Sequence, residues 1–133
     1  MTTTDFLNRI MGNVFQTQTS PGLPSVVYLG LSTSAPGVDG SGVTEPLASA
    51  GYARVELTSL DPPTNGVVTN GGEIAFPESS ASWGDVTHFV LFDAPVNGNL
   101  LMFNALSQTR SVETATIVMV KKGSLKLTLA NPA

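Results

Sequence analysis

A chain of 133 residues with no cysteine is long enough to bury one core, and it excludes disulfide staples and thiolate metal sites. Only 12% of its residues are charged, the net charge is −4, and its lysines and arginines are scattered, which excludes the basic footprint of a nucleic-acid binder. The first residues lack a basic segment followed by an apolar core, and no apolar run approaches the roughly 18 residues of a membrane span, so neither a signal peptide nor a membrane partner is expected.

Residues 2–15 are the one helix-like segment. Thr3 or Thr4 can cap it, and Asp5 sits in the first turn near the positive end of the dipole. Phe6, Leu7, Ile10, Met11, Val14 and Phe15 form one apolar stripe, with Arg9 and Asn13 on the opposite face. Gly12 weakens the helix, which should therefore depend on docking. The stripe can pack across its own subunit, the favoured destination, or reach a neighbour.

A polar linker at 17–24 leads to a first strand at 26–32. Residues 33–50 hold three glycines and two prolines, and a loop of that length in a compact domain is functional or disordered. A second strand at 51–57 has the half-buried pattern of a strand near a sheet edge. The cluster Asp61-Pro-Pro-Thr-Asn-Gly66 is a turn, and short strands follow at 67–69 and 73–76. The densest apolar stretch is WGDVTHFVLFDAPVNGNLLMFNAL, residues 83–106. It reads as two strands, 86–92 and 100–106, joined by a turn in which Asn97-Gly98 takes positive φ. Apolar side chains on both faces place this hairpin in the middle of a sandwich. Phe89 and Leu91 should share one face and Val86, Val90 and Phe92 the other. Residues 108–114 are polar, 115–120 read as a buried strand, and 125–129 as a closing strand with Leu125, Leu127 and Leu129 inward.

The sum is an all-β, antiparallel β-sandwich, jelly-roll-like or Ig-like, with seven to eight strands and one N-terminal α-helix. The expected organisation is an arm at 1–15 and a single sandwich domain at 16–133.

Catalytic and metal signatures are missing, so no catalytic residue, metal ligand or cofactor is expected. His88 is the single histidine, lies mid-strand, and has no Gly-x-Ser-x-Gly elbow to serve. Asp85 and Asp93 flank one strand roughly 25 Å apart, too far for a glycosidase pair. Asp39, Glu45 and Asp61 lack the spacing of a calcium loop and read as solvated loop carboxylates. Trp83 reads as a lid on the core with its N–H bonded to a carbonyl; the alternative is a stacking platform for a sugar.

Three segments together resemble a family of short tailed-phage and prophage proteins labelled tail-fibre-like: SVVYLGLSTSAP, GYARVEL, and IAFP with ASWGDVTHFVLFDA and GNLLMFNAL. Gly51-Tyr52-Ala53-Arg54 and Trp83-Gly84-x-x-Thr87-His88-Phe89 are its sharpest parts. The resemblance implies a virion structural protein with no catalytic residues, assembled in the host cytoplasm. A low-charge β domain with an amphipathic arm suits repeated docking by many weak contacts. The leading expectation is a capsid decoration (cement) protein on the outer head surface. A tail-fibre or tail-tip module contacting the host, and a carbohydrate-binding module using Trp83, are the alternatives. Expected partners are the major capsid protein or tail proteins and further copies of the chain, with a trimer favoured. Phe6, Leu7, Ile10, Val14, Val38, Val43 and Leu47 are the candidate assembly surface, and Trp83 and Tyr52 the candidate recognition residues.

Overall fold

The computed structural model describes residues 1–17 and 22–129, so half of the linker expected at 17–24 falls outside the described residues. Within them lie one helix, α1 (Thr4–Val14), and eight strands: β1 (Tyr28–Ser32), β2 (Val55–Glu56), β3 (Val68–Thr69), β4 (Ile74–Ala75), β5 (Gly84–Phe92), β6 (Leu100–Val112), β7 (Met119–Val120) and β8 (Lys126–Leu127). Every ladder is antiparallel. Strands β2-β1-β5-β6 form a four-stranded sheet, while β3-β8 and β4-β7 form two short ladders. The fold is an all-β antiparallel sandwich with a helix near its start.

The long hairpin β5–β6 is the spine, as the run of β-branched and aromatic residues predicts. Its turn takes positive φ at Asn97 (57°) and Gly98 (75°). A Cβ at Gly98 would stand 2.5 Å from Asp93 Oδ1, so glycine is required there. Leu29, Leu31, Val86, Leu91 and Leu101 pack with Phe76, Val112 and Leu125 in the main core. Val90, Phe92 and Leu100 form a second cluster, closed by Val43 of the long loop and by Phe103. The central sheet is thus covered on both faces. Its second face is covered by a loop where a second sheet would ordinarily lie.

Two bulges change the facing of the hairpin. The register slips between Val86 and His88 and again between Leu91 and Phe92. The first slip turns Val86 into the same cluster as Leu91, where strict alternation puts it with Val90 and Phe92. The second lets the adjacent residues Leu101 and Met102 both enter the main core.

Other elements differ from expectation for local reasons. β6 runs on to Val112, through the polar stretch that reads as non-strand, because β5 starts early enough to pair with it at Gly84–Val112. At 51–57 only Val55–Glu56 is strand. Gly51 (φ 87°) instead ends a 3-10 turn at Ala48–Ala50, which turns Tyr52 and Arg54 inward. Residues 115–120 are not a buried strand. Ala115 takes positive φ, only Met119–Val120 is strand, and Ile117 and Met119 are exposed. Leu125 is buried as expected, but Leu129 is exposed.

Candidate functional site

The beginning of the chain is stitched onto β6 before the helix starts. Phe103 N–H donates to the Met1 carbonyl (2.9 Å), Thr3 N–H to the Leu101 carbonyl (2.9 Å), and Thr2 bridges Met102. Thr3 caps α1: its Oγ1 accepts from Phe6 N–H (3.3 Å) and donates to the Leu100 carbonyl (2.8 Å). Thr4 N–H then donates to the Val38 carbonyl (3.0 Å), tying the helix to the long loop.

The docked face of the helix joins Phe6 of the apolar stripe to Arg9, a residue the sequence pattern assigns to solvent. Arg9 is 3% exposed and Gly12 is buried. Arg9 Nη1 donates to Asp93 Oδ2 (3.1 Å), and Nη2 stands 3.0 Å from Asp5 Oδ2, one turn back. The contact at Nη2 is an ion pair without a hydrogen bond, and neither Nη2 nor Nε has a hydrogen-bond partner among the described residues. Asn13, placed opposite the stripe with Arg9, is exposed.

Asp93 links this helix to the hairpin turn, accepting from Asn99 N–H (2.7 Å) and from the Asn99 side chain (3.2 Å). Burial pushes its carboxyl upward, but the Asn99 and Arg9 contacts outweigh burial and hold it below the usual range. A depressed folded pKa gives stability that is present above the unfolded value near 3.8 and lost as pH falls through the folded value. Asp93→Asn should therefore lower Tm at pH 6 and flatten the loss of Tm between pH 4 and pH 2. Thermal melts at these three pH values check this; an unchanged acid slope would remove Asp93 from the account.

A second latch fixes the long loop. Arg54 Nε and Nη2 donate to Glu45 Oε2 (3.0 Å) and Oε1 (2.6 Å), a bidentate pair. Its Nη1 donates to the carbonyls of Ala94 and Asn97, each at 2.7 Å, and the guanidinium lies 3.5 Å from the Phe92 ring centroid. Tyr52 O–H donates to Glu45 Oε2 (2.5 Å) and accepts from Leu31 N–H (3.0 Å). Burial, then the bond to Glu45, pushes the Tyr52 phenol far above its ordinary pKa, so it stays a neutral donor. Gly30 makes the room, since a Cβ there would meet the Tyr52 hydroxyl at 2.7 Å. Local sequence pattern does not announce this side-chain group, because its members lie on separate elements. Its one trace in the sequence is polar-capable Tyr52 and Arg54 at alternate positions beside an apolar strand.

The expected assembly residues separate into two sets. Phe6 packs on the main core and Val43 on the second cluster; Leu7, Ile10 and Val38 are half-buried. Val14 and Leu47 are 62% and 72% exposed. Met11 (54%) and Phe15 (64%) join Val14 on the outer side of α1. Trp83 and Tyr52 are buried, at 5% and 8%, and meet edge-to-face at 5.4 Å. Trp83 Nε1–H donates to the Ala50 carbonyl (2.9 Å). Neither ring offers a face to a sugar, so the burial removes the stacking-platform reading.

The remaining polar groups are held by local partners. His88 Nδ1 lies 2.8 Å from its neighbour Thr87 Oγ1, and burial lowers the imidazole pKa. Asp39 accepts from Ser41, Glu45 is held by Arg54, and no three His, Asp or Glu side chains among the described residues could hold a metal.

A family model described as Podophage GP4 fiber I protein gp80 matches residues 2–128. The chain belongs to that family. It is thus a phage fibre structural protein and a component of the virion. The match takes in both latches and all of α1. No curated protein matches the chain.

Proposed function

We propose that this fibre protein is a non-enzymatic tail-fibre or tail-tip module that contacts the host surface. The match of the fibre family across residues 2–128 carries the reading. A cement protein on the outer head draws no support from that match, and the fibre reading replaces it. The surface of α1 agrees with assembly into a larger body. The helix is fixed to its own subunit through Thr3, Arg9 and Asp93, yet its apolar Met11, Val14 and Phe15 face outward. Contiguous apolar side chains held rigidly in water mark a surface meant for a protein partner. Its partners are further copies of the chain and other virion proteins.

Purified protein mixed with host cells and, separately, with emptied phage heads tests the placement. It should label cells and leave heads bare. Binding to heads, with raised resistance of those heads to heat, would reinstate the decoration role.

A further inference from the structure

A cleft of about 470 Å³ opens between the middle of β6 and the segment carrying β7 and β8. Its floor is apolar, made by Leu29, Leu31, Val86 and Phe89 from the central sheet. Its rim carries Arg110, Lys121 and Lys126, and no aspartate or glutamate lines it. The chain holds six lysines and arginines in all. Arg9 and Arg54 are committed to ion pairs, whereas none of the three rim cations is paired with another described residue. In a protein of net charge −4, three of the four lysines and arginines outside the ion pairs, all but Lys122, are gathered on one apolar cleft.

The strand beside the cleft is irregular at that point. Between the pairs Val86–Arg110 and His88–Ala105, β5 advances by one intervening residue while β6 arches through residues 106–109. Leu106, Ser107 and Gln108 of this arch line the cleft. Bulges of this kind re-aim backbone and side chains at binding sites. β6 is also the last strand of its sheet, and beyond the Thr2–Met102 bridge no described strand pairs with its outer edge. An unpaired edge offers main-chain donors and acceptors to a further strand.

We infer that this cleft receives an extended segment of a partner protein in which acidic and apolar residues alternate. One face of such a strand places apolar side chains on the leucine and valine floor. Its main chain runs along the edge of β6 at residues 104–110, and its carboxylates reach the three cations on the rim. An apolar floor beneath a rim whose charged groups are all cationic selects this chemistry over a neutral or basic segment. The unpaired strand edge favours a peptide over a small anionic amphiphile, which has no main chain to add to a sheet. This site lies apart from the outer side of α1 and does not depend on the tail placement.

A fluorescein-labelled ten-residue peptide alternating glutamate and valine, followed by fluorescence polarisation against the full chain, tests it. Binding should be saturable, weaken as salt rises, and fall at least tenfold in K121E/K126E. K121R/K126R should retain it, and the matching lysine–valine peptide should fail to bind. Circular dichroism melts establish that each variant is folded; should K121E/K126E fail to fold, K121Q/K126Q takes its place. Dodecanoate is the competing small amphiphile. Absence of peptide binding, binding indifferent to the charge reversal, or binding of dodecanoate alone would overturn the assignment.

Discussion

Arg54→Ala should lower the melting temperature by about 10 °C. The guanidinium is nearly buried, forms a bidentate pair with Glu45, donates to two carbonyls of the β5–β6 turn, and covers Phe92. Its removal strands Glu45 beside Tyr52 with no cation and frees the turn from the loop. Breaking a buried pair by deleting one partner costs about 3–5 kcal/mol, and the partial exposure of Glu45 puts this one at about 3. For a chain of this length each kcal/mol shifts Tm by roughly 3–4 °C. Arg54→Lys should recover less than half of the loss, because an ammonium cannot reproduce the planar fork. Calorimetry on the three proteins checks it. A shift under about 3 °C for Arg54→Ala would mean that the loop is held by other contacts.

The second large effect concerns α1. The triple variant M11Q/V14S/F15S should sharply weaken association between copies while leaving Tm within about 2 °C, since exposed substitutions away from the core change stability little. Association should weaken by at least about a hundredfold, since the three truncated side chains at the centre of a contact each contribute on the order of 1–2 kcal/mol. Sedimentation equilibrium reads the first quantity and a thermal melt of dilute protein the second. A fall of many degrees would show that the three side chains pack within their own subunit. Unaltered association would move the contact elsewhere. Deleting residues 1–15 cannot make this distinction, because it also removes the Thr3 cap and the Arg9–Asp93 pair.

Much of the architecture is legible from local pattern. The β5–β6 hairpin, its Asn97-Gly98 turn, the Thr3 cap and the edge position of β2 all follow from propensity and turn chemistry. What is hidden depends on long-range partners. Arg9 reads as a solvated residue on the polar side of a helix, and only Asp93, 84 positions away, explains its burial. Val86 changes side, and the adjacent Leu101 and Met102 share one, because of bulges, which leave no period in the sequence. Residues 115–120 have the composition of a buried strand, but the positive φ of Ala115 and a single short ladder leave Ile117 outside. In the candidate site, the stripe on α1 is visible in the sequence and the direction it faces is not. Gly51-Tyr52-Ala53-Arg54 stands out as part of a family resemblance, while its work as a latch appears only once Glu45 and Phe92 are beside it.

Gold-labelled antibody against the chain, imaged on intact phage particles, addresses the placement of the protein most directly. Label confined to the fibres of the tail is the predicted result. Label spread over the head surface, or particles that carry none while the protein stays free in infected cells, would contradict it.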